Sequence, residues 1–168
     1  MDNNIQDFIK YIKSANFDEN ELNYTLITSD ESETELLAAT LAENLSLGKI
    51  IALEGDLGAG KTVFSRGFAN GLKITEPISS PTFTIVQEYQ LTNYKTLPAW
   101  LFHLDLYRLD GYHAALAFGI EEFLNEANAF TLIEWPVRIK ELLTNNFLRI
   151  SITHFNETQR KIAIKHIV

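Results

Sequence analysis

Residues 49–62 read Lys49-Ile50-Ile51-Ala52-Leu53-Glu54, then Gly55-Asp56-Leu57-Gly58-Ala59-Gly60-Lys61-Thr62. The first six are short, apolar and β-branched at their start, the pattern of a buried strand. The next eight match G-x-x-x-x-G-K-[ST]. Gly55, Gly58 and Gly60 permit left-handed backbone angles, so the amides of Asp56, Leu57, Ala59 and their neighbours can turn inward. Inward amides at a helix start form a nest for anions, and the helix dipole favours the same charge. In this motif Lys61 reaches the β- and γ-phosphates of a nucleoside triphosphate, and the Thr62 hydroxyl is a ligand for Mg²⁺. Val63 follows, and a helix is expected from Thr62 to Asn70, with Gly71 as its stop. A bare glycine-rich turn with a surface lysine would not need this strand-loop-helix context.

Working outward, Ile5, Phe8, Ile9 and Ile12 lie at helical spacing and predict a helix over Ile5 to Ala15. Tyr24 to Ile27 reads as a strand. Ser32 and Glu35 fit a capping box for a helix carrying Leu37, Leu41 and Leu45 and ending at Gly48. Beyond the loop, strands are expected at Thr82 to Tyr89, Trp100 to Leu106, Phe130 to Glu134, Phe147 to Thr153 and Lys161 to Val168, with a hairpin connection over Leu91 to Pro98. Ala115 to Asn125 reads as a helix interrupted at Gly119, and Val137 to Leu143 as a short helix. This order implies an α/β protein, a three-layer P-loop NTPase-like sandwich with a mixed central sheet. Residues 1–23 read as a helical N-terminal extension and 24–168 as one domain.

The 168 residues carry a net charge of −8, with 46% hydrophobic and 21% charged residues and no cysteine. The length suits one substantial core. The absence of cysteine excludes a disulfide framework and a thiolate metal site. No stretch approaches the ~20 apolar residues of a membrane span, and Met1 to Lys13 lacks the pattern of a signal peptide. A cytoplasmic protein without membrane or DNA partners is expected. The acidic balance opposes strong nucleic-acid binding by the chain alone, although Arg66, Lys73, Arg108, Arg138 and Lys140 leave room for a local basic patch.

A P-loop site needs a further carboxylate and a group that orients water. Asp105 and Glu134 each end an apolar strand, and ligands of open α/β sheets lie beyond such ends. Either acid could instead be a surface charge or pair with Arg108 or Arg138. Ser79-Ser80-Pro81-Thr82 is a polar loop, either a phosphate-sensing switch through Thr82 or an ordinary turn. Trp135 could pack in the core, line the site or meet a partner, with the core favoured from the residues alone. His103 reads as a strand residue near the sheet surface, and the four histidines show no metal-ligand spacing.

Taken together, GDLGAGKT, SPTF (Ser80 to Phe83), HLDLYRL (His103 to Leu109) and IEWP (Ile133 to Pro136) resemble the TsaE (YjeE) family, and the lead-in Thr28-Ser29-x-x-Ser32-x-x-Glu35 is similar to its opening. The resemblance runs from about Thr28 to the C-terminus. It implies an ATPase of low intrinsic activity that uses ATP and Mg²⁺ and acts with the TsaD and TsaB proteins in tRNA threonylcarbamoyladenosine formation. It would meet tRNA only through that complex and would not transfer the threonylcarbamoyl group itself. By matching motif, Lys61 and Thr62 are phosphate and Mg²⁺ residues, and Glu134 is the second metal-shell carboxylate. Asp105 is a water-orienting or switch acid, Thr82 a switch-loop residue and Trp135 a residue beside the site. Asp30 and Arg160 would approach the base or ribose. The first 23 residues precede the family's usual start, and Val63 stands where a second threonine is common.

Other functions fit less well. A small-molecule kinase would need an acceptor pocket and usually an arginine-rich lid, and a GTPase a guanine-reading segment such as N-K-x-D. A nucleotide-binding scaffold without productive turnover would share the loop and differ only in kinetics.

Overall fold

The computed structural model describes residues 4–14, 17–94 and 98–168. Strand β1 (Asn23–Thr28), β2 (Ile50–Glu54), β3 (Val86–Leu91), β4 (Ala99–Asp105), β5 (Ala129–Glu134), β6 (Phe147–His154) and β7 (Arg160–Ile167) form one seven-stranded sheet of order β1-β7-β6-β2-β5-β4-β3. The centre, β6-β2-β5-β4, is parallel, and both flanks are antiparallel. The sheet is therefore mixed, and β2, which feeds the glycine-rich loop, sits in its middle.

Helices α1 (Ile5–Ile12), α2 (Glu31–Asn44) and α3 (Lys61–Gly71) cover one face. There Leu101, Phe130 and Leu132 meet Phe64 and Phe68 of α3 in one apolar core. The opposite face buries Phe102, Leu104 and Ile133 under the short helices α4 (Tyr112–Phe118) and α5 (Ile120–Leu124) and a 3₁₀ turn at Pro136–Ile139. Alternation along the strands sorts side chains between these layers. Leu101, His103 and Asp105 thus share the α3 face of β4, and Leu132 and Glu134 share that of β5.

Ile5, Phe8 and Ile12 of α1 are buried in the same core as α2 and the α3-facing strands. Phe8 and Tyr11 rest on Tyr24 of β1, with ring centroids 5.2 and 5.3 Å apart. The helix expected to reach Ala15 stops at Ile12, with Lys13 as its C-cap; residues 95–97 of the expected hairpin connection fall outside the described residues.

Four local expectations are corrected. The N-cap of α2 is Asp30, not Ser32: its Oδ1 accepts from the Glu33 amide at 2.9 Å, and Glu33 Oε2 accepts from the Ser29 amide at 2.7 Å. Glu35 is thereby left to pair with Arg66 across the α2–α3 contact. The same helix stops at Asn44, because Leu45 is already extended. Strand β3 begins only at Val86: the Ile85 amide donates to Pro81 O at 2.7 Å, and Ile85 has φ 68°, closing a turn where a strand starting at Thr82 was expected. The helix expected over Val137 to Leu143 is a single 3₁₀ turn. Gly119, with φ 85°, divides α4 from α5 as its position in the sequence suggests.

Candidate functional site

Gly55 leaves β2 with φ 154°, and a Cβ there would lie 2.5 Å from Ile152 O. Only glycine lets the chain turn this close to β6. Gly58 (φ 77°) and Gly60 (φ 112°) complete the left-handed corners, and Gly60 directly precedes α3. The loop therefore ends at the N-terminus of an eleven-residue helix, where free amides and the helix dipole favour an anion; within the loop the Ala59 amide donates to Asp56 O at 3.1 Å.

A cavity of about 480 Å³ opens over this loop, a size suited to a small ligand. Its lining includes Leu57, Gly58, Gly60, Lys61, Thr62 and Val63. Gly55, Asp56 and Ala59 do not line it. The Gly55 and Asp56 carbonyls instead accept Lys61 Nζ at 2.8 and 2.9 Å, and the Ala59 carbonyl accepts Arg160 Nε at 3.1 Å. The Lys61 ammonium also lies 4.3 Å from the Trp135 ring centroid. Burial pushes its pKa below the ordinary lysine value, against the opposing pull of Glu134, Asp105 and Asp56.

Asp105 and Glu134 are register partners on adjacent parallel strands, and both line the cavity. Neither engages the arginines considered as alternatives: Arg138 donates to Tyr107 O at 3.2 Å, and Arg108 lies over the Phe83 ring. Glu134 is 3% exposed. Its Oε1 faces Thr62 Oγ1 at 3.4 Å, Ser65 Oγ at 3.5 Å and His103 Nε2 at 2.9 Å. Asp105 Oδ2 accepts from the Ser80 hydroxyl and from Thr82 Oγ1 at 2.8 Å, while Oδ1 accepts from the Tyr107 amide at 3.0 Å. The polar loop before β3 is thus held to the end of β4 by Asp105.

Trp135 lines the cavity and, half-buried, also packs against the core under the short helices. It adopts the left-handed conformation (φ 60°) and packs beside Tyr107, with centroids 5.0 Å apart. Asp30, Thr158 and Arg160 also line the cavity. Asp30 Oδ1 is committed to capping α2, and Arg160 spans from the loop to the carbonyls of the 156–159 turn. The sequence reading placed His103 near the sheet surface, whereas the strand is covered on that face and the ring is fully buried; it also missed Ser65, Tyr107, the bond of Ser80 to Asp105 and the contact of His103 with Glu134. Ser65 was detectable as one turn beyond Lys61. The others depend on strand register and loop path.

Thr62 and Glu134 supply hard oxygen donors side by side, as Mg²⁺ in a phosphate site requires: one or two protein oxygens, with phosphates and waters completing the shell. Among the described residues no group of three or more His, Cys, Asp or Glu forms an all-protein metal cage. No helix among them is long and apolar enough to cross a membrane.

A central parallel strand, a glycine-cornered anion nest, an inward lysine and a carboxylate on the neighbouring strand define the P-loop nucleotide-binding class. Residues 28–162 match the family model described as threonylcarbamoyl adenosine biosynthesis protein TsaE, and the chain belongs to the TsaE family. It is 40% identical over 136 residues to the tRNA threonylcarbamoyladenosine biosynthesis protein TsaE of Bacillus subtilis, covering 81% of each chain. It is 36% identical over 146 residues to the protein of that name from Aquifex aeolicus, covering 86% of this chain and 97% of the relative. The crystal structure of Bacillus subtilis YdiB superposes with a TM-score of 0.71 at 31% identity, covering 90% of each chain.

Proposed function

We propose that this protein is a Mg²⁺-dependent ATPase, slow by itself, which serves tRNA threonylcarbamoyladenosine formation in the cytoplasm. It acts by binding and hydrolysing ATP on a TsaD–TsaB complex, meets tRNA only through that complex, and transfers no threonylcarbamoyl group itself. The observation that carries this reading is the convergence of Lys61, Thr62 and Glu134 in the lining of one cavity, with Thr62 and Glu134 3.4 Å apart.

The loop amides and Lys61 hold the β- and γ-phosphates, and Lys61 gives up its two carbonyl contacts to do so. Thr62 and Glu134 would hold Mg²⁺, which neutralises the charge that develops on the phosphates. Trp135 and Tyr107 wall the phosphate end, while Asp30 and Arg160 flank the base and ribose. Asp105 links nucleotide state to the 80–82 loop: in its present contacts all three donors come from that loop or from Tyr107. Release of the Ser80 or Thr82 hydroxyl frees an oxygen to orient water. A docked partner that moves this loop would raise turnover, as trans-acting groups do in other P-loop proteins.

Steady-state ATP hydrolysis tests the reading, with wild type and Lys61→Ala measured alone and with TsaD and TsaB. Slow turnover that needs Lys61 and rises with the partners is expected. Turnover indifferent to the partners rejects the assignment in favour of a scaffold or a kinase.

A further inference from the structure

We propose that His103 is a positioning residue that fixes the Glu134 carboxylate for divalent-cation binding beside Thr62. The inference rests on the Mg²⁺-dependent reading above.

His103 lies in the middle of β4 on the face beneath α3 and is fully buried. Its register neighbours are Leu132 on β5 and Gln87 on β3. The Nε2 atom is 2.9 Å from Glu134 Oε1 in a pair of which 0% and 4% of the side chains are exposed. A carboxylate oxygen in this setting accepts, so Nε2 carries the proton and donates. The other ring nitrogen, Nδ1, is the buried side-chain polar atom without a partner among the described residues. An orphaned polar atom in a packed interior costs stability. A leucine beside Leu101 and Leu132 would avoid that cost, so the ring is explained by what it does for Glu134.

The other two donors cannot replace it. Thr62 and Ser65 stand 3.4 and 3.5 Å from the same oxygen, at the limit of hydrogen bonding. Ser65 also faces Lys61 O at the shorter distance of 3.1 Å, and it has only one proton to give. His103 therefore supplies the one short contact that sets the rotation of the carboxylate. All three contacts meet on Oε1, which leaves Oε2 without a protein donor among the described residues, on a side chain that lines the cavity. Partners of this kind behind a ligating group shift metal affinity roughly 10- to 100-fold.

The test is Mn²⁺ affinity of the full chain with saturating ADP, read from the EPR signal of free Mn²⁺, for wild type, His103→Gln, His103→Asn and His103→Leu. ADP affinity in EDTA is measured in parallel. A glutamine amide reaches the place of Nε2, whereas that of asparagine stops at the place of Nδ1. Leu and Asn should weaken Mn²⁺ binding roughly 10- to 100-fold and leave metal-free ADP binding unchanged, while Gln restores most of the affinity. Folded Leu and Asn variants that hold Mn²⁺ as tightly as wild type overturn the inference, as does an equal loss of ADP in EDTA. Should His103→Leu not fold, the contrast between Asn and Gln decides. Wild type that takes up no Mn²⁺ with ADP removes the nucleotide–metal reading itself, whereas normal wild-type uptake with indifferent variants removes only the role of His103.

Discussion

Gly67→Ala sets two opposing effects against each other at a single position. Gly67 lies inside α3, where alanine improves helix propensity by about 1 kcal/mol. A Cβ at this position, however, would lie 2.4 Å from Glu35 O, 2.5 Å from Glu35 Cα and 2.8 Å from Glu35 C. These are backbone atoms of α2, so no rotamer change relieves them. Ordinary contact begins at 3.4 Å, which requires α2 and α3 to separate by roughly 1 Å along this line. Gly71 meets Ala39 in the same way one turn later, so the helices cannot pivot there to make room. Overpacking of this kind costs typically 1–3 kcal/mol, and backbone opposition places it at the upper end. The net expectation is a loss of about 2 kcal/mol, or roughly 4–8 °C in Tm for a chain of this size. Urea denaturation gives the first number and thermal melting the second. Because α3 begins with Lys61 and Thr62, ADP affinity should fall as well. A Gly67→Ala protein as stable as wild type would refute the reasoning, since propensity would then have outweighed the contact between the helices.

Phe8→Ala removes a fully buried ring that joins α1 to the core and should cost about 3–5 kcal/mol in urea denaturation; a loss under 1 kcal/mol would mean that α1 contributes little to folding. Lys61→Ala should abolish ATP binding, while Asp105→Ala should retain it and lose turnover; isothermal titration paired with a hydrolysis assay separates the two, and normal turnover in Asp105→Ala removes that acid from the mechanism. Glu19→Gln tests acid stability. Burial raises the Glu19 pKa, but hydrogen bonds from the Ser46 side chain and amide and the charge of Lys49 outweigh it, so the net shift is downward from 4.5. A lowered carboxylate pKa stabilises the fold above the unfolded value and loses that contribution as pH falls through the folded value. The wild-type protein should therefore lose more stability than Glu19→Gln between neutral pH and pH values below 4.5, as read by urea midpoints; parallel pH profiles would contradict the assignment.

The glycine-rich loop was legible because all its parts are contiguous. One strand, one turn and one helix start supply the nest, Lys61 and Thr62, and no distant residue is needed to recognise them. The two acids were legible because a strand's carboxyl end is visible as the end of an apolar run. Features set by contacts between elements were not. Ser32 and Glu35 read as the cap of α2, but Asp30 caps it and Glu35 pairs with Arg66 on another helix. The start of β3 was misplaced because the residues around Thr82 read as alternating, although Ile85 takes a left-handed angle and closes a turn. The contact of His103 with Glu134 depends on which face of β4 looks toward α3 and on the register of β4 against β5. Neither is written in the local sequence.

Register also explains how two carboxylates in one cavity can have different tasks. Asp105 and Glu134 sit opposite each other at the ends of β4 and β5, so the sheet gives them the same depth and direction. Their donors differ in origin. Those of Glu134 come from α3 and the interior of β4, elements held by the core from both sides. Two of the donors to Asp105 come from Ser80 and Thr82, in a loop that no strand pairing holds. A carboxylate held by packed elements keeps one orientation and suits a ligand whose geometry must persist. One held by loop hydroxyls changes its contacts whenever the loop moves, which suits the step that must respond to nucleotide or partner. Within the proposed ATPase, this assigns the fixed role to Glu134 and the responsive role to Asp105. It follows that Thr82→Val, which removes one hydroxyl without touching the loop glycines, should change partner-stimulated turnover more than basal ATP affinity. Equal effects on both would place Thr82 with the binding residues.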